Sequence, residues 1–277
     1  MKKDIAIVYM AAGLSSRFGG KIKQFAKVGI NNETLIEYSL NQAIKSGITK
    51  IIFIVGEKTE QPFRELFKEN YQGIPVYYAL QIYDKKERDK PWGTTDALCS
   101  AKNLIDCPFI VCNGDDIYGE NTFKILVNHF KKNKEENGAS VGFKLINVIP
   151  EKGKVNRGIF KTNQNQEVRE LKEVFNIEKN NFEATNTKPD NLTSMNIYAL
   201  YPKTVEHLCN ILEKFKKDNK ENRTSECLLP NNISELIQKN LLRLKLYQTP
   251  DKWIGITNPE DEEIVRKILR NQFQTNL

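Results

Sequence analysis

The chain has 277 residues, 42 lysines and arginines against 35 aspartates and glutamates, and a net charge of +7. That length holds one sizeable α/β domain and does not demand two. Two histidines outside any motif, and five cysteines with no C-x-x-C pair, argue against imidazole catalysis, a zinc site and a disulfide framework. No apolar run is long enough to span a bilayer and Met1-Lys-Lys-Asp is not a leader, so the expected setting is soluble and cytoplasmic, away from membranes. The basic balance could signal nucleic acid. The lysines, however, sit in stretches such as 131–136 and 213–223, interleaved with acids and asparagines and without an aromatic stacking surface. They read as solvated faces that steer anionic small molecules and bind no nucleic acid.

In chain order, the first element is a buried apolar strand, Ile5–Met10. The loop after it, Ala11-Ala-Gly13-Leu-Ser15-Ser16-Arg17 through Lys23, has little side-chain bulk. Small residues let backbone amides approach an anion, Ser15 and Ser16 add hydroxyls, and Arg17 and Lys23 add charge, so the loop reads as a triphosphate clamp. A helix is predicted at Leu35–Ser46, a strand at Ile51–Val55, a helix at Thr59–Asn70, and a strand at Val76–Leu80 that ends on Gln81. Gly93 and Thr94 then open a helix at Thr95–Leu104. The strand Phe109–Cys112 empties into Asp115 and Asp116, hard oxygen ligands of the kind that Mg²⁺ and a phosphate require. This alternation is the βαβ rhythm of a parallel sheet. Beyond Asp116 the pattern is mixed. Strands are predicted near 140–145, 158–162 and 195–200, with two later helices and a polar loop at 176–191 that is a candidate lid.

The first loop resembles the L-A-A-G-x-G-T-R signature of the sugar-1-phosphate nucleotidyltransferases, the pyrophosphorylases that make activated sugars, with Ser15 where many members carry glycine. The resemblance extends over nearly the whole chain. It implies a Rossmann-like three-layer α/β/α fold with a mixed, mainly parallel central sheet. It also implies a single domain over 1–277, in which residues 1–116 hold the nucleotide and 117–277 the acceptor. By resemblance, Arg17 neutralises the leaving pyrophosphate and Lys23 bridges the reacting phosphates. Ala11, Ala12, Gly13, Ser15, Ser16, Gln81, Gly93 and Thr94 bind the nucleotide, with Gln81 reading the base and Gly93 letting the backbone touch the ring. Asp115 is the Mg²⁺ ligand and Asp116 a support or substrate contact. Gly158, Glu173 and Asn196 meet the sugar. The order Lys172-Glu173-Val174 departs from the family's Glu-Lys pair. In Asp251-Lys-Trp-Ile-Gly255, glycine stands where the family has its metal-binding aspartate, which leaves Asp251 as the nearest second ligand.

The function implied is a Mg²⁺-dependent transfer in which a sugar 1-phosphate attacks the α-phosphorus of an NTP and expels pyrophosphate. A cytidylyltransferase acting on a phosphorylated alcohol such as phosphocholine is the nearest alternative. A metal-dependent glycosyltransferase needs no arginine and lysine on the first loop. A non-catalytic nucleotide-sugar-binding protein has only Gly255 in its favour.

Overall fold

The computed structural model describes residues 4–13, 18–19, 22–133, 136–256 and 261–275. The chain runs β1 (Ala6–Met10), α1 (Leu35–Ser46), β2 (Lys50–Val55), α2 (Glu60–Phe67), β3 (Asn70–Tyr71), β4 (Ile74–Leu80), α3 (Thr94–Ser100) and β5 (Phe109–Asn113). It continues with β6 (Asp116–Ile117), α4 (Glu120–Lys132), β7 (Gly138–Lys144), β8 (Val155–Thr162), β9 (Val168–Ile177), β10 (Leu192–Leu200), α5 (Pro202–Asp218), α6 (Leu229–Gln238), β11 (Leu244–Gln248), β12 (Ile254–Gly255) and α7 (Asp261–Thr275).

Among the described residues the main sheet has the order β11-β7-β10-β5-β1-β2-β4-β3, with β8 and β9 extending from β10. The centre is parallel, β5 and β2 flanking β1 and β4 following β2, whereas β10 is antiparallel to β5 and to β7. Because β10 lies directly beside β5, strands from before and after residue 116 share one sheet. The small ribbon β6–β12 pairs Asp116 with Gly255.

Strand periodicity sorts the core into two layers. Ile5, Ile7 and Tyr9 face one side with Phe53, Ile110, Cys112 and the apolar faces of α1, α2 and α4. Ala6 and Val8 face the other with Ile52, Val111 and residues of α3, α5 and α6. Strands buried on both faces are what make Ile5–Met10 and Phe109–Cys112 unbroken apolar runs, and each fully buried Ile, Leu or Phe contributes about 1.5–3 kcal/mol over its exposed state. A third cluster joins Phe18, Val28, Leu35, Ile117, Ile254 and Ile256 to Val265 and Leu269 of α7.

The predicted helix 59–70 ends early, at Phe67, because Lys68 adopts φ 52° and Asn70 opens the tight β3–β4 hairpin. Helix 95–104 likewise breaks after Ser100 into a 3₁₀ turn at Lys102–Leu104. Among the described residues, three helices and not two follow residue 200. The expected lid at 176–191 is tied down at its far end: Leu145 N–H donates to Asn191 O and Ile146 N–H to Pro189 O, and Phe182 packs on the core.

Candidate active site

The parallel strands β1, β2, β4 and β5 end on one edge of the sheet, where an open α/β fold offers its ligand crevice. At the end of β5, Lys23 Nζ lies 2.9 Å from Asp115 Oδ2, so a residue of the first loop and the strand-tip carboxylate meet across 92 positions of sequence. Lys23 is held in a 3₁₀ turn, Lys23–Phe25, whose Phe25 ring packs on Phe63. Arg17, Ser15 and Ser16 lie outside the described residues.

The first-loop residues that are described divide. Ala11 is fully buried, its N–H donates to Ile54 O (2.8 Å) and its carbonyl accepts from Thr59 Oγ1 (3.2 Å). Both its backbone groups are therefore engaged at the sheet edge. Gly13 is exposed, and a Cβ there would meet nothing within 4 Å.

Asp116 is buried and central to a polar chain. Its Oδ2 accepts from Asn113 Nδ2 (2.8 Å) and lies 3.2 Å from the Tyr118 hydroxyl, which accepts from Asn113 N–H and donates to Met195 O (2.9 Å). Asn196 Nδ2 donates to Asn113 Oδ1 (2.7 Å). Asn196 sits at φ 61° inside an irregularity of β10, which swings it out of strand register towards Asn113, and its Oδ1 is buried without a partner. Burial, reinforced by the Asp115 charge, pushes the Asp116 carboxyl up to about 7, against the opposing hydrogen bond from Asn113.

Gly158 on β8 pairs with Glu173 on β9 and with Ser194 on β10, so these three form one row leading to Asn196. Burial raises the Glu173 pKa and the charge of Arg157 opposes it. Arg157, which sequence reasoning passed over, donates to Val148 O (2.8 Å) and to Asn156 O (3.0 Å) and reaches over the Trp253 ring, with its Nε buried and unpartnered. Its position beside Gly158 was the only available signal.

On the nucleotide side, Gln81 follows β4 and is buried; its Nε2 donates to Asp96 Oδ2 (2.8 Å) and Gly93 O (3.1 Å). Gly93 has φ +98° and a Cβ there would come within 2.7 Å of Cys227 O. The 227 segment and the residue's own backbone conformation therefore require glycine at this position. Thr94 Oγ1 accepts from Leu229 N–H (2.8 Å), another tie to that segment.

Asp251 does not join Asp115. Its Oδ1 accepts from Asn121 Nδ2 (2.9 Å) and its Oδ2 from Thr122 N–H (2.8 Å), so the carboxylate satisfies the first turn of α4. It lines a separate cavity of about 1000 Å³ with Tyr38, Gln42, Lys45 and Lys124. The expectation of Asp251 as second metal ligand is corrected accordingly. At Gly255, a Cβ would fall 2.4 Å from the Trp253 ring and 3.0 Å from Asp116 Oδ1. The indole thus occupies the space a side chain would need.

Residues 19–232 match the nucleotidyl transferase family model. The chain belongs to that family. The UTP–glucose-1-phosphate uridylyltransferase AglF of Haloferax volcanii is 24% identical to this nucleotidyltransferase over 208 residues, 74% of the chain and 75% of the relative. UTP–glucose-1-phosphate uridylyltransferase 2 of Streptococcus pyogenes is 29% identical over 137 residues, 42% of the chain and 44% of the relative. Among solved structures, a putative glucose-1-phosphate thymidylyltransferase from Bacillus anthracis, in complex with a sucrose, superposes with a TM-score of 0.70 at 16% identity, covering 96% of both chains. A UDP-glucose pyrophosphorylase complexed with UDP-glucose gives 0.67 at 16% identity, over 97% of this chain and 99% of that one. These likenesses share the mixed, mainly parallel sheet. Among the described residues, no helix is long and apolar enough to cross a membrane.

Proposed function

We propose that this nucleotidyltransferase joins an NTP to a sugar 1-phosphate, giving an NDP-sugar and pyrophosphate. The observation that carries this reading is the Lys23–Asp115 pair at the tip of β5, flanked on one side by Gln81 and on the other by the Glu173–Gly158–Ser194 row that leads to Asn196. In this reading residues 1–116 take the nucleotide and residues 117–277 the acceptor. The named relatives, which are uridylyltransferases of glucose 1-phosphate, support it by likeness.

An acceptor phosphate is already an oxyanion, so no general base is needed. Its oxygen attacks the α-phosphorus in line, the bond to the bridging oxygen breaks, and the electron pair leaves on pyrophosphate. Lys23 then compensates charge on the phosphates, with Arg17 assigned the same task, and catalysis is positioning plus charge stabilisation. Glu173 and the Asn113–Asn196 pair suit hydroxyl groups. A quaternary ammonium acceptor would instead call for an aromatic cage, and the one tryptophan nearby, Trp253, faces Arg157.

No group of three or more His, Cys, Asp or Glu among the described residues makes a self-sufficient metal cage. Mg²⁺ does not require one, because it takes one or two carboxylates and completes its shell with water and phosphate oxygens. Asp115, a third exposed at the strand tip, and the buried Asp116 beside it fit that donor set. When bound, Mg²⁺ would neutralise the phosphates and align them. The compartment in this reading is the cytoplasm, where such substrates occur.

The test is pyrophosphate release from each common NTP with glucose 1-phosphate, with and without Mg²⁺. Release that depends on both substrates and on the metal is the expected result; release from an NTP and phosphocholine alone would replace the sugar with an alcohol.

A further inference from the structure

The side-chain amide of Gln81 is held in a single orientation. Its Nε2 faces Asp96 Oδ2 at 2.8 Å and Gly93 O at 3.1 Å. A carboxylate and a carbonyl only accept, so the NH₂ end of the amide must be the end that faces them. The carbonyl end, Oε1, is turned the other way. Among the described residues no donor reaches that oxygen, and it is not among the buried atoms left without partners.

The holder of this orientation is itself held. Asp96, on the first turn of α3, has a side chain only 8% exposed, and its second oxygen takes Lys216 Nζ of α5 at 2.6 Å. Lys216 also reaches over the Trp92 ring, 5.9 Å from its centroid. A buried carboxylate without such a partner would be costly. With the ammonium on one oxygen and the Gln81 amide on the other, both ends of the carboxylate are engaged. Nothing in the reaction proposed above needs Asp96 or Lys216, so this pair is left without another task.

We infer that Asp96, backed by Lys216, is a positioning residue that fixes Gln81 as a hydrogen-bond acceptor towards the nucleotide base. This rests on the proposal that Gln81 lies at the base end of the NTP. An acceptor aimed at the ring nitrogen of the Watson–Crick edge, and not at the exocyclic amino group that cytosine and adenine carry there, pairs with a ring N–H and opposes a ring nitrogen that carries a lone pair. Uracil and thymine have the N3–H, whereas cytosine has the lone pair at the same place. Guanine also offers a ring N–H and adenine does not, so the lock separates UTP, dTTP and GTP from CTP and ATP. The UTP and CTP pair, equal in ring size, isolates its effect. Facing two acceptors leaves both desolvated and unpaired, which is worth roughly 10²-fold or more in discrimination.

The experiment is isothermal titration of UTP and of CTP, each with Mg²⁺, into wild type, Asp96→Asn and Lys216→Gln. Wild type is expected to bind UTP more tightly by about 10²-fold. In Asp96→Asn, the ammonium retains the remaining carbonyl oxygen and turns the new NH₂ towards Gln81, so only the Gly93 carbonyl still favours the original orientation and the amide is free to turn its NH₂ to the base. The UTP-to-CTP ratio should fall at least about tenfold, partly through tighter CTP binding. A residue that only supported the fold would weaken both nucleotides together and leave the ratio unchanged. If Asp96→Asn folds, by far-ultraviolet circular dichroism, it decides; if it does not, Lys216→Gln, a partly exposed change, decides by the same ratio. An unchanged ratio in the deciding variant overturns the inference, as does a wild type that binds CTP as well as UTP. Binding of no NTP by wild type overturns the nucleotide reading itself, and the lock with it.

Discussion

Lys23 and Asp115 form an ion pair of 2.9 Å at the mouth of the crevice, with side chains 14% and 33% exposed. Each is therefore within reach of a ligand, and each has its charge compensated before one arrives. A pair this open contributes little to stability, of the order of 0–1 kcal/mol. Its value lies in where it places an ammonium and a carboxylate.

Asp115→Ala should accordingly lose Mg²⁺-dependent turnover while its melting temperature changes little. Lys23→Ala should lower kcat by roughly 10²-fold or more, since its contact strengthens as charge moves onto the leaving pyrophosphate. Pyrophosphate release with both substrates saturating, alongside thermal melts, checks the two. Near-normal turnover in Asp115→Ala would remove that residue from the chemistry, and a change confined to KM in Lys23→Ala would reduce the lysine to binding.

A second expectation concerns pH. The Asp116 carboxyl titrates at about 7 in the folded chain because it is buried beside Asp115, against about 4 for an unfolded aspartate. Between those values the folded state holds a proton that the unfolded state has released. Its contribution to stability is therefore complete below about pH 4 and is lost as pH rises to about 7. Other carboxylates, such as Asp106 and Glu120, are shifted down by Lys50 and Lys124 and act in the opposite sense. The difference between wild type and Asp116→Asn isolates the effect. The variant should gain in relative melting temperature as pH rises from 4 to 7, and added Mg²⁺ should shrink that gap in favour of wild type. A difference flat in pH would mean that the carboxyl ionises normally.

The central strands and the first helix were legible because their signals are local: α1 begins with a capping box between Thr34 and Glu37 and ends on Gly47 in the left-handed conformation, and β1, and β5 as far as Cys112, are apolar. The loop pattern singled out Lys23 and the strand end singled out Asp115, each by resemblance, but their ion pair was not read from the sequence. What periodicity could not supply were contacts made by backbone detail. Asn196 reaches Asn113 only because β10 is irregular between Ser194 and Tyr198. Gly93 is glycine on account of Cys227, 134 positions away, and Lys216 finds Asp96 from a helix whose charged face looks merely solvated. Asp251 looked like a ligand because carboxylates near a tryptophan and a glycine fit a pattern, but the N-terminus of α4 competes for the same oxygens.

The acceptor row yields a third prediction. Glu173 stands opposite Gly158 and its charge is felt by Arg157. Glu173→Ala should raise the KM for glucose 1-phosphate by about tenfold, the value of one hydrogen bond to a charged group, and leave the choice of NTP alone. Steady-state kinetics with both substrates varied separates the two constants. An unchanged acceptor KM would sink the assignment of β8 and β9 to the sugar.

The last prediction turns on Gly255, whose Cα faces the Trp253 ring so closely that a Cβ would stand 2.4 Å from it. Gly255→Ala should destabilise the fold by about 1–3 kcal/mol, the usual cost of overpacking, as the indole is pushed away from Asp116 or the β6–β12 ribbon opens. Gly255→Asp should cost more, because it adds a second buried carboxylate on the strand paired with Asp116. Removing the ring should change that balance. In a Trp253→Ala background the space is vacant, so Gly255→Asp should cost markedly less than in the wild-type background, and added Mg²⁺ should stabilise the double variant more than wild type. Four melting curves with and without Mg²⁺ complete the cycle. Additive costs in it would show that Trp253 is not what keeps a side chain out of position 255.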